Sequence, residues 1–137
     1  MSKTHISSYR VYYEDTDAGG IMYHGNFINF CERARSDLLR EIGLPSSSVA
    51  EKLHIGFVVR HLEADYLKMV KLDDLLSVHT QLTNMKNSSF LMNQRITCQN
   101  IDVFSMDVTV VCIDMSGKPT RIPEKLRQKF NDYLKED

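Results

Sequence analysis

Apolar residues keep three- and four-residue intervals through one long stretch of this chain, and two-residue intervals through most of its C-terminal half. Between residues 24 and 42, Phe27, Phe30, Cys31, Ala34, Leu38 and Ile42 follow the helical interval, while Glu32, Arg33, Arg35, Ser36, Asp37, Arg40 and Glu41 fill the other side. The spacing predicts an amphipathic helix of about five turns. Gly43, Leu44 and Pro45 end it, since glycine suits a left-handed cap and proline cannot continue a helix. Residues 46–53 can add one short helical piece.

Upstream, Ile6, Tyr9, Val11, Tyr12 and Tyr13 predict a first strand over residues 5–13, which runs into a polar, glycine-bearing loop over 14–23. Beyond residue 54 the period becomes two. Residues 56–70 read as a long strand with Val58, Leu62, Ala64 and Tyr66 on one face and Arg60 as the exception. Leu76, Val78, Thr80 and Leu82 share a phase; so do Phe90, Met92, Ile96 and Cys98, interrupted only by Gln94; so do Phe104, Met106, Val108, Val110 and Cys112. These are antiparallel strands with one buried face. Val103, Val111 and Ile113 put apolar residues on the other face as well, which assembly with further copies would cover. A turn over residues 116–119 and a charged helix over about 123–134 close the chain. One strand, a long helix and four long strands make an α+β domain in which an antiparallel sheet wraps around one central helix, the hotdog arrangement.

The 137 residues, 42% hydrophobic and 26% charged, suit one domain over 1–137 with a single core. Lys plus Arg number 17 against 18 Asp plus Glu, and a net charge of -1 gives no reason to expect nucleic acid or an acidic membrane as partner. An anionic ligand must therefore be held by a local cluster. Cys31, Cys98 and Cys112 are odd in number and set among apolar neighbours, as buried free thiols would be. The N-terminal residues lack the apolar core of a signal peptide, and no run reaches the roughly 20 apolar residues of a membrane span. The expected compartment is the reducing cytoplasm.

The richest chemistry lies between Arg10 and Phe27, where Asp15, Asp17, Gly19, Gly20 and the helix start at His24, Gly25 and Asn26 follow one another closely. Glycines let a backbone approach a ligand, and unpaired amides at a helix start can hold a carbonyl oxygen that gains charge. The other reading is an acidic loop whose aspartates close turns and cap the helix. Glu32 is expected as a solvated or paired helix charge. His5, His54, His61 and His79 lie on separate segments without ligand spacing, so no metal is expected, and no Gly-x-Ser-x-Gly elbow is present.

The run Tyr-Glu-Asp-Thr-Asp-Ala-Gly-Gly-Ile-Met-Tyr-His over residues 13–24, continued by Phe30-Cys-Glu-Arg-Ala-Arg35, resembles the 4-hydroxybenzoyl-CoA thioesterase family, in particular its Tol-Pal-associated acyl-CoA thioesterase branch. Phe57-Val-Val-Arg60, Asp65-Tyr-Leu-Lys68 and Leu72-Asp-Asp-Leu75 extend the resemblance, with a weaker match at Gly117-Lys-Pro-Thr-Arg-Ile-Pro123. It implies hydrolysis of acyl-CoA without a cofactor, with Asp17 as nucleophile or general base. It also implies Asp15 as support, the amides of His24 and Gly25 on the thioester carbonyl, and His24 as catalytic or structural. The founding enzymes carry proline after the catalytic aspartate and again at the helix start, where this chain has Ala18 and Gly25; that departure favours an aliphatic acyl group. CoA phosphates would meet Lys118 and Arg121, with Lys86 and Arg60 as weaker candidates. The family also implies a homotetramer or, second, a homodimer. An acyl carrier protein is a possible partner, and an adaptor that binds acyl groups without turnover is the alternative function.

Overall fold

The structure, a computed structural model, describes residues 2–135; Met1, Glu136 and Asp137, at the two ends of the expected 1–137 domain, lie outside the described residues. Strand β1 (His5–Arg10) is followed by a single 3₁₀ turn (Tyr13–Asp15), helix α1 (Gly25–Glu41), helix α2 (Ser46–Leu53), strands β2 (Ile55–Tyr66), β3 (Leu75–Met85), β4 (Ser89–Cys98) and β5 (Ile101–Asp114), and helix α3 (Glu124–Asn131). All five strands form one antiparallel sheet in the order β1-β3-β4-β5-β2. This is the α+β hotdog arrangement, with α1 packed on one face of the sheet.

Helix α1 buries Phe27, Phe30, Cys31, Ala34, Leu38 and Leu39. Phe27 stacks on Phe104 of β5 with ring centroids 5.0 Å apart, and Phe30 stacks on Tyr9 of β1 at 5.5 Å. The helix ends as its sequence dictates. Gly43 sits at φ 87°, its N–H donates to the Arg40 carbonyl, and the Leu44 N–H donates to the Leu39 carbonyl, which satisfies two of the last carbonyls. Helix α3 closes the far end of the core with Leu126 and Phe130, the latter 5.1 Å from the Phe90 ring.

Three expectations need correction. The first strand stops at Arg10, because the Tyr12 N–H is taken by the Asp15 carboxylate and the chain turns there. The long strand ends at Tyr66 rather than residue 70, and its faces switch at Arg60. Val59 pairs with Val110 and His61 with Thr109, so Arg60 is an extra residue that interrupts the alternation. Phe57 and Val59 therefore share the helix-facing side with Leu62, Ala64 and Tyr66, and Val58 pairs with Val111 on the opposite side. Arg35 is not on the outer side of α1. It is half-buried and donates to Gln94, the residue that interrupts the apolar phase of β4.

Gln94 is wholly buried and fully occupied: Nε2 donates to the Cys31 carbonyl at 2.9 Å and to Thr80 Oγ1 at 3.1 Å, and Oε1 accepts from Arg35 Nη1 at 2.9 Å. A polar group inside a core is tolerated on that condition. Cys31, Cys98 and Cys112 are free, and burial pushes the Cys31 thiol up to about 12 and Cys112 to about 11. Among the described residues no helix is long and apolar enough to cross a membrane.

Alkaline stability has a named group. Tyr9 donates its hydroxyl to Asp37 of α1, and burial together with that carboxylate pushes Tyr9 up to about 12 from 10.0. Folded-state stability from this group is thus complete below pH 10 and lost as pH rises through about 12. Urea midpoints are expected to fall between pH 10 and 12 in the parent and to fall less in Tyr9→Phe; parallel curves would remove Tyr9 from the account.

Candidate active site

The loop between β1 and α1 is a small hairpin. Thr16 bridges Met22, the Asp17 N–H donates to the Ile21 carbonyl, and Gly20, at φ 78°, donates to the Asp17 carbonyl. Its returning arm lies along residues 70–72: Ile21 bridges Lys71, the Met22 N–H donates to Val70, and Leu72 donates to Gly20. Asp15 holds the base of this hairpin. It is buried, its Oδ2 accepts from the Tyr12 N–H at 2.9 Å and its Oδ1 from Asn26 Nδ2 at 3.1 Å, while its carbonyl accepts from the Tyr23 N–H. Asp15 thus ties the loop to the first turn of α1, a supporting role. Sequence named Asn26 only for an unpaired helix-start amide, and that amide instead donates to the Tyr23 carbonyl; its side-chain bond to Asp15 spans eleven residues, beyond any local motif.

Asp17 differs from it in every respect that matters for chemistry. It is exposed, its Oδ1 accepts from the Gly19 N–H at 2.9 Å, and its Oδ2 has no protein donor among the described residues. One oxygen closes the turn and the other is free to act. Past the hairpin, the chain enters α1 through His24, whose side chain makes no cap bond. The first amides with acceptors on either side are Tyr23, which donates to Asp15, and Asn26, which donates to Tyr23; the N–H groups of His24 and Gly25 have no acceptor among the described residues. Tyr23 lies over that turn. A Cβ on Gly25 would come within 2.7 Å of Tyr23 Cε2, so glycine allows the ring to cover the helix start.

An aromatic wall stands beside these amides. His24 is 4.4 Å from the Tyr23 ring and 6.1 Å from Tyr66, and Tyr66 meets both Phe27 at 5.7 Å and Phe104 at 5.1 Å. His24, Phe27 and Tyr66 line an open depression of about 520 Å³ together with Met22, Leu67, Met69 and one cation, Lys68. The depression offers two free amides at the positive end of a 17-residue helix and an apolar wall, and the hairpin that carries Asp17 reaches it through Met22, while Asp17 itself does not line it. Among the described residues no group of three His, Cys, Asp or Glu is arranged to hold a metal ion.

The sequence pattern of the thioesterase-like superfamily matches residues 11–130, which span the hairpin, α1 and the whole of β2 to β5. The chain belongs to the thioesterase-like superfamily. It is 38% identical over 123 residues to the acyl-CoA thioesterase YbgC of Haemophilus influenzae, covering 89% of this chain and 90% of that one. It is 37% identical over 123 residues to the acyl-CoA thioester hydrolase YbgC of Escherichia coli, covering 88% and 91%. A crystal structure of a probable thioesterase from Bartonella henselae superposes with a TM-score of 0.85 at 32% identity, covering 88% of this chain and 100% of that one.

Not every residue expected at the site of this thioesterase is near Asp17. The hairpin between β3 and β4 carries Lys86, and the segment after β5 carries Lys118 and Arg121. These meet, since the Ile122 N–H donates to the Asn87 carbonyl and Arg127 Nη2 donates to the carbonyls of Lys86 and Asn87. The three lie at the end of the sheet where Thr120 bonds Cys112. The His24 end is marked by Phe104. Eight residues of β5 separate the two, about 27 Å. Arg60, exposed at the bulge midway along β2, joins neither group.

Beside β2 lies a second recess, about 420 Å³, between α1, α2 and the sheet. Leu39, Val49, Phe57, Val59 and Phe90 make its apolar surface, and Glu32 and Arg35 its polar one. Glu32 is exposed there and forms no ion pair among the described residues. The sequence signal for Arg35 was its position, four residues after Cys31 and three before Leu38, which places it at the edge of the buried stripe.

Proposed function

We propose that this thioester hydrolase cleaves aliphatic acyl-CoA to the free acid and CoA within a single catalytic domain, with Asp17 as nucleophile or general base. The observation that carries the reading is the pair of free amides at His24 and Gly25, next to a hairpin that leaves one Asp17 oxygen unengaged. A thioester carbonyl oxygen that accepts from those amides gains charge against the helix dipole as its carbon is attacked. If Asp17 attacks, a mixed anhydride forms, the C–S bond breaks and CoA leaves as the thiolate, after which water frees the acid and restores Asp17. If Asp17 instead takes a proton from water, hydroxide adds, CoA leaves and the acid forms directly. In this reading His24 either hydrogen-bonds the thioester or that water, or serves the structure of the helix start. Both routes run without a cofactor. The Haemophilus and Escherichia relatives, named for acyl-CoA, support the CoA thioester, and Ala18 with Gly25 supports an aliphatic acyl group. The motif over residues 13–24 supports the 4-hydroxybenzoyl-CoA type of hotdog enzyme and its Tol-Pal-associated branch, the three free cysteines support a cytoplasmic setting, and acyl carrier protein is a second partner in this reading.

A second copy of the chain completes the site in this reading. Strand β2 is a 12-residue sheet edge that exposes Val58 (44%), Val59 (45%) and Tyr66 (49%). Long apolar edges pair with another chain unless something blocks them. Antiparallel pairing of two β2 strands about a two-fold axis sets each subunit's Tyr66 end beside the partner subunit's β2 start, and so brings one subunit's basic end towards the other's Asp17. Pairs of such dimers then form the tetramer.

Thiol release from a panel of acyl-CoAs tests the activity. For the phosphate contacts, Lys118→Ala with Arg121→Ala is expected to raise KM for acyl-CoA, leave kcat unchanged and weaken the salt dependence of KM, because these exposed cations are screened within about 8 Å at physiological ionic strength. Acyl-pantetheine, which lacks those phosphates, should be hydrolysed as by the parent. Equal losses on both substrates would move the phosphate site elsewhere.

A further inference from the structure

The recess of about 420 Å³ beside β2 contains a cation, Arg35, that forms no ion pair among the described residues. One Arg35 N–H donates to Gln94 Oε1 at 2.9 Å, and Gln94 is locked by its bonds to Cys31 and Thr80, so the guanidinium is fixed in place from behind. Guanidinium has five N–H donors in a planar fork, and only this one has a protein acceptor among the described residues. None of the ion pairs among those residues includes Arg35. Glu32, one turn earlier and open to solvent, is the nearest acidic neighbour on the same wall. Burial disfavours the Arg35 charge, which makes an arriving anion worth more here than on an open surface.

The other walls are apolar: Leu39, Val49, Phe57, Val59 and Phe90 accept methylenes and offer an anion nothing. An apolar path with one fixed, unpaired fork on its wall is complementary to a hydrocarbon chain that ends in a carboxylate. We propose that Arg35 is a specificity-determining residue that binds the terminal carboxylate of ω-carboxyacyl thioesters, the chain of which fills this recess. The assignment rests on the thioesterase reading for its substrate, and on the Arg35–Gln94 geometry for its site. In the paired reading of β2 this recess lies at the β2 start, beside the partner subunit's Tyr66 end, so the acyl chain enters it from the partner subunit's thioester site.

Sebacyl-CoA is one such substrate, and decanoyl-CoA is its match without the carboxylate. The test compares kcat/KM for the two in the parent, Arg35→Gln and Arg35→Lys. Glutamine keeps a partner for Gln94 without the charge. Arg35→Gln is expected to lose at least about tenfold on sebacyl-CoA and less than about twofold on decanoyl-CoA, with Arg35→Lys recovering part of the loss. In parallel, free sebacate should raise the Tm of the parent more than 1,10-decanediol does, which has the same chain and no carboxylate, and Arg35→Gln should abolish the difference. Should neither CoA ester be hydrolysed while sebacate keeps its Arg35-dependent effect on Tm, the thioesterase reading fails and the carboxylate site stands. A parent that sebacate does not stabilise above the diol, or an Arg35→Gln enzyme that loses both substrates equally, overturns the proposal. The Tm comparison on the parent alone decides the matter if Arg35→Gln does not fold.

Discussion

Asp17→Asn is expected to lower kcat for acyl-CoA by at least about 100-fold, the lower end of what a positioned acid or base contributes, while its unfolding midpoint stays with the parent. The amide oxygen can still accept from the Gly19 N–H, so the turn keeps its bond, but an amide neither attacks a thioester nor takes a proton from water. Asp15→Asn supplies the contrast. Both Asp15 oxygens accept from donors, Tyr12 and Asn26, and an Asn amide would face one of them with a donor of its own. That leaves a buried polar group unpaired, at about 1–3 kcal/mol. Asp15→Asn should therefore lose stability and less activity, and Asp17→Asn activity and little stability, as read by denaturation and steady-state kinetics on the same preparations. A larger activity loss for Asp15→Asn would reverse the assignment. Parental activity in both would make Glu32 the next carboxylate to test.

Breaking the β2 edge should be nearly as costly. Val58→Lys with Leu62→Lys places two charges on each subunit's edge, and a two-fold axis sets like charges against like across the joint. Leu62 is already 36% exposed, so a lysine stem can lie along the strand with its ammonium in water and the fold preserved. Sedimentation should show the parent as an oligomer and the variant at the 15.8 kDa of one chain, with thiol release down at least about tenfold. The cause is the 27 Å that separates the Lys118 and Arg121 end from the His24 end within one chain. A monomer with full activity would show that one chain carries a whole site.

The periodicities carried most of the fold because each element has one buried face. Phe27, Phe30, Cys31, Ala34 and Leu38 of α1 and the alternating runs of β3, β4 and β5 are buried where the spacing puts them, with Ile42 and Cys98 only half-buried and Leu39 buried beyond the expected set. What escaped was set by single residues. Nothing in the composition of β2 marks Arg60 as a bulge, since an extra residue shows only as a change of phase, and it can be placed on either side of the break. Gln94 and Arg35 each read as an outlier on its own element. Their bond joins positions 59 residues apart, so only the packing of α1 on β4 explains both. The candidate site divides in the same way. Asp17 and the helix start at His24 and Gly25 adjoin in sequence and could be read there, helped by a family motif, whereas Tyr66 reaches His24 only through the fold. Of the basic candidates, the segments that carry Lys86 and Arg121 meet across the Asn87–Ile122 bond, which joins positions far apart in sequence, and Arg60 does not join them.

The most direct measurement is thiol release from a medium-chain acyl-CoA by the parent and Asp17→Asn, at matched concentration and with the fold of each verified. The account predicts saturable turnover by the parent, with one free CoA thiol and one free acid per thioester consumed, and a residual rate at most about one-hundredth of that in Asp17→Asn. A folded parent that binds acyl-CoA and releases no thiol would contradict it and leave an acyl-binding adaptor in its place.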